Sequence, residues 1–314
     1  MSQETETVES LIRGPLIGTL LGLVLYGVTF LQAFFYFQTY VDDRIVLKLL
    51  VALVVILETA HAALSVFVMD YYLIAHYGQV QVLQSATWVS AVMYLIVSLI
   101  DFVAYLYFTW RVWAFTKKMW TVIFMILVAV SRTTISIVPS FWSVLSTTWD
   151  LYLKRSNRLL LAGSALFLFG DIFSACIMAY YLEKNRHGLR STHALINRIL
   201  IFVVATGAIT VLMDIVSLAL ILAQSESLAF TSAIFIQTRL YSNSLLASLN
   251  ARKSHQRVLH GRVDQSSNAE LSPVSIQFAQ RSDVRASAAL QESQPTSSNT
   301  KSTESWHTAR EFAT

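Results

Sequence analysis

From about residue 14 to residue 250, long apolar runs alternate with short polar ones; beyond 250 the alternation stops. The stretch 45–69 is nearly continuously apolar, whereas a membrane β-strand would alternate with a period of two over about 10 residues. The pattern therefore predicts helices. About 18 or more mostly apolar residues span the roughly 30 Å hydrocarbon core as a helix. Lipid offers backbone groups no partners, so a spanning segment must satisfy them within itself. Seven spans follow, at about 14–39, 45–69, 87–111, 119–142, 159–182, 198–223 and 227–249. The expected fold class is all-α, a seven-transmembrane-helix bundle. Its domains are a short extracytoplasmic N-terminus at 1–13, the bundle at 14–250 and a disordered cytoplasmic tail at 251–314. Pro15 suits the first turn of the first helix, and Pro139 is expected to bend or end the fourth.

Composition sharpens this. The chain is 55% hydrophobic and 13% charged, against roughly 25% charge in soluble domains. Cys176 falls in an apolar run and reads as a small buried residue, since a lone thiol makes no internal disulfide. The first residues carry Glu4, Glu6 and Glu9 with only Arg13 as a base, unlike a cleavable leader, so the first helix is expected to remain as an anchor. The tail is rich in Ser, Thr and Gln and has too little apolar surface to offset its ordering entropy.

Basic residues near span ends set orientation. With the N-terminus outside, the inner side collects Arg44, Lys48, Arg111, Lys117, Lys118, Lys184 and the basic start of the tail; the outer side has Arg13, Lys154, Arg155 and Arg158. The expected location is a membrane, with multiple passes, the N-terminus outside and the C-terminus cytoplasmic. The basic segment 251–262 should sit on anionic lipid. Trp88, Trp110, Trp113, Trp120 and Trp142 fall near span ends, where indoles favour the headgroups.

Several stretches carry a resemblance. They are Gly163-Ser164-Ala165 with Gly170-Asp171-Ile172, Leu195-Ile196-Asn197-Arg198, and Leu240 through Asn250 with Tyr241, Ser242, Asn243 and Ser244. Gly14-Pro15-Leu16-Ile17-Gly18 and Leu57-Glu58-Thr59-Ala60-His61 join them. Over about 14–252 the chain resembles a fungal family of seven-helix membrane proteins of unknown function. One departure is Ala205, where the resemblance implies an acidic residue. The resemblance implies fold and topology, and no activity.

Ionisable groups at membrane depth are costly and mark functional candidates. They are Glu58, His61, Asp101, Asp171, Asp214 and Arg239. Glu58 and His61, three apart, share a helix face and read as a proton-responsive or cation-binding pair, or as polar packing between helices. Arg239 and Asp171 each lie about 12 residues into helices entering from outside, roughly 18 Å deep, so they are expected to pair. No metal site is expected, because no ligand spacing motif appears. No lysine lies inside a span to form a retinal Schiff base. G-x-S-x-G is absent, so no enzyme activity, catalytic residue or cofactor is expected. The motifs of rhodopsin-like receptors are missing too: helix three ends Thr109-Trp110-Arg111, and helix seven lacks proline. Gly14, Gly18 and Gly22 form a small-residue stripe that serves packing within the bundle or, alternatively, homodimerisation. Partners are the bilayer and an unidentified ligand or solute, with no nucleic acid. The function expected is a receptor or sensor, with a small-solute or proton-coupled transporter and a membrane scaffold as alternatives.

Overall fold

The computed structural model describes residues 2–184, 193–223 and 227–270. Within them the helices are α1 (Ser2–Thr39), α2 (Ile45–Asp70), the single turn α3 (Val80–Leu83), α4 (Trp88–Thr116), α5 (Met119–Leu145), α6 (Trp149–Lys184), α7 (His193–Ala223) and α8 (Phe230–Glu270). A wider π-type turn, Tyr71–Ala75, extends α2. The described residues contain no strand, only an isolated bridge between Ser85 and Thr148.

Among the described residues six helices, α1, α2 and α4 through α7, are long and apolar enough to cross a membrane. The protein is a multi-pass membrane protein. Leu20, Val24, Ile56, Leu127 and Leu222 are each more than half exposed. An apolar surface of this extent is a liability in water; against lipid it is the solvated face. Cys176 is exposed on α6 rather than buried as expected. An apolar run leaves open which of its residues face neighbours and which face lipid.

Two apolar clusters show how the helices run. One gathers Leu11, Val68, Leu83, Val89, Trp149, Ile221 and Leu228, the start of α1, α4, α6 and α8 with the end of α2 and α7. The other gathers Ala33, Tyr36, Val51, Tyr107, Leu245 and Leu249, from the opposite ends. Successive long helices are thus antiparallel. The first cluster marks the amino-terminal end of the bundle and the second its carboxy-terminal end. At the amino-terminal end, the Trp149 N–H donates to the Gln84 carbonyl (2.9 Å) and the Tyr72 hydroxyl to the Ser85 carbonyl (2.7 Å). At the other end, α4 and α5 are joined by Lys117 and Lys118 alone. Lys117 closes α4 in the left-handed region (φ 54°), its N–H donating to the Trp113 carbonyl at 2.9 Å.

Helix ends depart from the expected spans. α1 begins at Ser2, so Pro15 lies inside it rather than in its first turn. α5 continues past Pro139 to Leu145. α6 begins at Trp149, ten residues before the expected 159. Its first turns bury Trp149, Tyr152, Leu153 and Ser156 while Asp150 and Lys154 pair on the exposed side. That i, i+3, i+4, i+7 spacing is an amphipathic helical signature, hidden from hydropathy by the charges. The backbone of α8 runs on to Glu270, past the boundary at 250; residues 271–314 of the expected tail lie outside the described residues.

α8 stands apart. It is too polar to count among the apolar helices, yet no residue from Ser227 to Ala251 is exposed. Other helices enclose it. Gly14 and Gly18 of α1 make close approach possible: a Cβ at Gly14 would sit 2.5 Å from Ala229 Cα, and one at Gly18 2.7 Å from Ser232 Cα. The glycine stripe is therefore taken up by packing within the chain.

Candidate functional site

The polar groups of α8 divide by helical geometry. At about 100° per residue, positions two apart point to nearly opposite sides, and positions three or four apart share a side. Arg239 and Ser242 lie on one side; Gln237 and Tyr241 lie on the other.

On the first side, Arg239 forms a buried ion pair with Glu58 of α2. Its guanidinium also donates to the Glu58 carbonyl (3.0 Å) and to His61 Nδ1 (2.7 Å). A guanidinium has no acceptor, so His61 Nδ1 accepts and the neutral ring carries its proton on Nε2. The Ser242 hydroxyl donates to Glu58 Oε1. The ring of Tyr26 lies 5.6 Å from the Arg239 guanidinium carbon, and Phe235 packs edge-on to His61 at 5.2 Å. The charges balance, one carboxylate against one guanidinium.

On the second side, Arg132 of α5 donates to Asp171 Oδ1 of α6 (2.9 Å) and to the Tyr241 hydroxyl (2.9 Å). Tyr241 donates its own proton to Asp171 Oδ2 at 2.6 Å. The Gln237 amide donates to the Tyr241 hydroxyl (3.1 Å) and to Asp214 Oδ1 of α7. The Tyr241 oxygen thus donates once and accepts twice, which fills its capacity. The Arg132 guanidinium carbon lies 4.5 Å from the Tyr105 ring centre and 4.0 Å from that of Phe167. Gly170 leaves room for it: a Cβ there would come within 3.1 Å of the guanidinium.

The expected Arg239–Asp171 pair is not formed. Depth along a helix was the basis for that pairing, but direction around the helix decided it. Arg239 faces α2, while Asp171 faces Arg132, which was not among the sequence candidates. Gln237 was missed as well. Its signal was the spacing of four from Tyr241.

Two cavities adjoin the second cluster. Toward the amino-terminal end, a cavity with about 80 Å³ of water-accessible space is lined by Asp101, Asp214, Gln237 and the rings of Tyr94, Tyr152, Phe167 and Phe230. Asp101 Oδ1 and Asp214 Oδ2 are buried without a hydrogen-bond partner. Toward the carboxy-terminal end, a cavity of about 60 Å³ is lined by Asp171, Tyr241, Ser244, Thr210 and Arg111. The Asp171–Tyr241–Gln237 hydrogen bonds join the linings of the two. Neither lining includes Glu58, His61, Arg239 or Ser242. Among the described residues no three His, Cys, Asp or Glu side chains form a metal-binding group.

The rest of the last-helix motif ties helices together. Asn243 donates to the Leu25 carbonyl of α1 (3.1 Å), and Asn250 to that of Gln32 (2.8 Å). Ser248 meets the Tyr107 hydroxyl at 2.8 Å and receives a hydrogen bond from Arg111 at 2.9 Å. Just outside the bundle, Asp43 accepts from Tyr36 (2.7 Å) and pairs with Arg252. Arg252 holds the Asp43 carboxyl down at about 2 through that hydrogen bond. The side chains of Leu195-Ile196-Asn197-Arg198 lie outside the described residues.

Residues 168–254 match the model of a family described as a family of unknown function (DUF6534). The match takes in Asp171, Asp214, Gln237, Arg239 and Tyr241; Glu58, His61, Asp101 and Arg132 lie before it. No curated protein and no solved structure gives a significant match.

Proposed function

We propose that the protein is a non-enzymatic seven-crossing membrane receptor or sensor, with its ligand pocket in the amino-terminal half of the bundle. The carrying observation is the cavity itself: concave, ringed by aromatic side chains, with a few convergent polar groups, which is the usual make-up of a small-molecule site. α8 serves as the seventh crossing. Its enclosure by the other helices supports this, because a helix shielded from lipid can be polar wherever its neighbours satisfy it. The Lys and Arg residues that the sequence places between α1 and α2, between α4 and α5 and after α6 support a cytoplasmic carboxy-terminal end and an outer pocket. On this reading the basic continuation of α8 meets anionic lipid, and the likeness to the fungal seven-helix family extends over 14–252.

A second reading, a small-solute or proton-coupled transporter, is favoured by one observation. A second cavity lies on the other side of the Asp171–Tyr241–Gln237 layer, so a rearrangement of that layer would give the central acids access to either end. Flux into proteoliposomes, measured across a solute panel with and without a pH gradient, separates the two. The receptor reading expects ligand binding without flux, and solute or proton movement above empty liposomes would replace it with the transporter. Tags at both termini test the topology: antibody should reach the N-terminal tag on intact cells and the C-terminal tag only after permeabilisation.

A further inference from the structure

The second cluster has more negative than positive groups. Asp101, Asp171 and Asp214 converge on it, and Arg132 is the guanidinium among them. Its donors are directed at Asp171 and Tyr241, and its faces are covered by Tyr105 and Phe167. Asp101 is 9% exposed and Asp214 2%, and each presents a carboxylate oxygen without a hydrogen-bond partner, with the Thr238 hydroxyl near the Asp101 carboxyl. Both line the amino-terminal cavity, whose lining contains no Lys, Arg or His. A buried carboxylate needs a proton, a hydrogen-bond donor or a counter-charge.

We propose that this cavity binds a small organic cation, an aliphatic ammonium whose N–H groups donate to Asp101 and Asp214 and whose alkyl part lies among the aromatic rings. The assignment rests on the pocket reading above. An ammonium supplies the positive charge that the lining lacks, together with donors for the two carboxylates. Tyr94, Tyr152, Phe167 and Phe230 supply apolar contact, and a ring face attracts a cation. Size narrows the class. At roughly 10–15 Å³ of accessible volume for each water-sized group, about 80 Å³ admits about five to eight non-hydrogen atoms. A carboxylate or phosphate ligand is disfavoured, because it would face two acids with no cation in the lining.

The test uses the full chain in nanodiscs and three probes of matched size: n-butylammonium, n-butanol and butyrate. Binding is read by calorimetry and by the shift in Tm over a millimolar range. n-Butylammonium should bind and raise Tm, while the alcohol and the acid leave it unchanged. Asp101→Asn and Asp214→Asn should each weaken n-butylammonium binding at least tenfold. Ser164→Leu keeps both carboxylates and fills the cavity from its wall, so it should also block binding; it serves if an Asp variant fails to fold. Asp43→Asn, at the far end of the bundle, should bind as the unaltered protein does. n-Butanol binding in place of the ammonium would overturn the cation assignment and leave the pocket reading standing. Binding of none of the three would overturn both. Ammonium binding undiminished in folded Asp101→Asn, Asp214→Asn and Ser164→Leu would place it elsewhere and overturn the proposal.

Discussion

The two sides of α8 carry similar residues and do different things. Toward α2, Arg239 meets one carboxylate, the neutral ring of His61 and the hydroxyl of Ser242, and the charges cancel. Toward α4, α5, α6 and α7, one guanidinium stands among three carboxylates, and two oxygens remain unpartnered beside a cavity. The first arrangement is a charge-balanced joint between helices, although His61 Nε2 and Arg239 Nε also lack hydrogen-bond partners there. The second is incomplete without something more. Burial of a charge therefore does not by itself mark a site; the pocket proposed above adds an imbalance of charge next to open space.

The largest expected effect falls on the charge-balanced side. Glu58→Gln or Arg239→Gln strands a buried partner charge and should cost about 3–5 kcal/mol of stability. Denaturation in mixed micelles would measure it, and the double variant should recover part of the loss. The same cycle run on Asp171→Asn with Arg239→Gln should be additive within about 0.5 kcal/mol, because the two residues share no partner. Coupling above that would erase the distinction between the two sides. Next in size is Gly18→Val, which drives a branched side chain into the α8 backbone at Ser232. Overpacking of this kind costs about 1–3 kcal/mol, read as a lower Tm with the oligomeric state unchanged.

On the incomplete side, Asp101→Asn and Asp214→Asn should each shift stability by less than about 1 kcal/mol, or raise it, since they remove like charge rather than a partner. A loss as large as that of Glu58→Gln would show that these acids are structural. The smallest effect concerns the Asp43–Arg252 clasp. Asp43 is depressed from its usual 3.8 to about 2, chiefly by the hydrogen bond from Arg252. Its contribution is present above about 4 and fades as pH falls toward 2. A pH series of Tm should show that slope, and Asp43→Asn should flatten it.

Much of the scaffold was legible in the chain. Six of the expected spans correspond to helices long and apolar enough to cross a membrane, because hydropathy is a local sum over residues and needs no knowledge of neighbours. The seventh lay at the limit of that signal, since Arg239, Asn243 and the Ser residues of α8 lower it. The early start of α6 was present in the spacing of Trp149, Tyr152, Leu153 and Ser156 but was masked by the charges between them.

Six of the buried ionisable residues stood out in the sequence, through the cost of placing them at membrane depth, while Arg132 did not. Their pairings did not stand out either. The sequence by itself determined a helical membrane protein, the direction of its basic asymmetry and the six candidate polar positions. The tertiary structure alone decided that Arg239 belongs to Glu58 and His61, that Asp171 belongs to Arg132 and Tyr241, and that Asp101 and Asp214 keep open oxygens at a cavity wall. The reason is geometric. Sequence spacing fixes depth and relative angle within one helix, whereas pairing between helices depends on how each is rotated about its own axis, and close packing of the whole bundle sets that rotation.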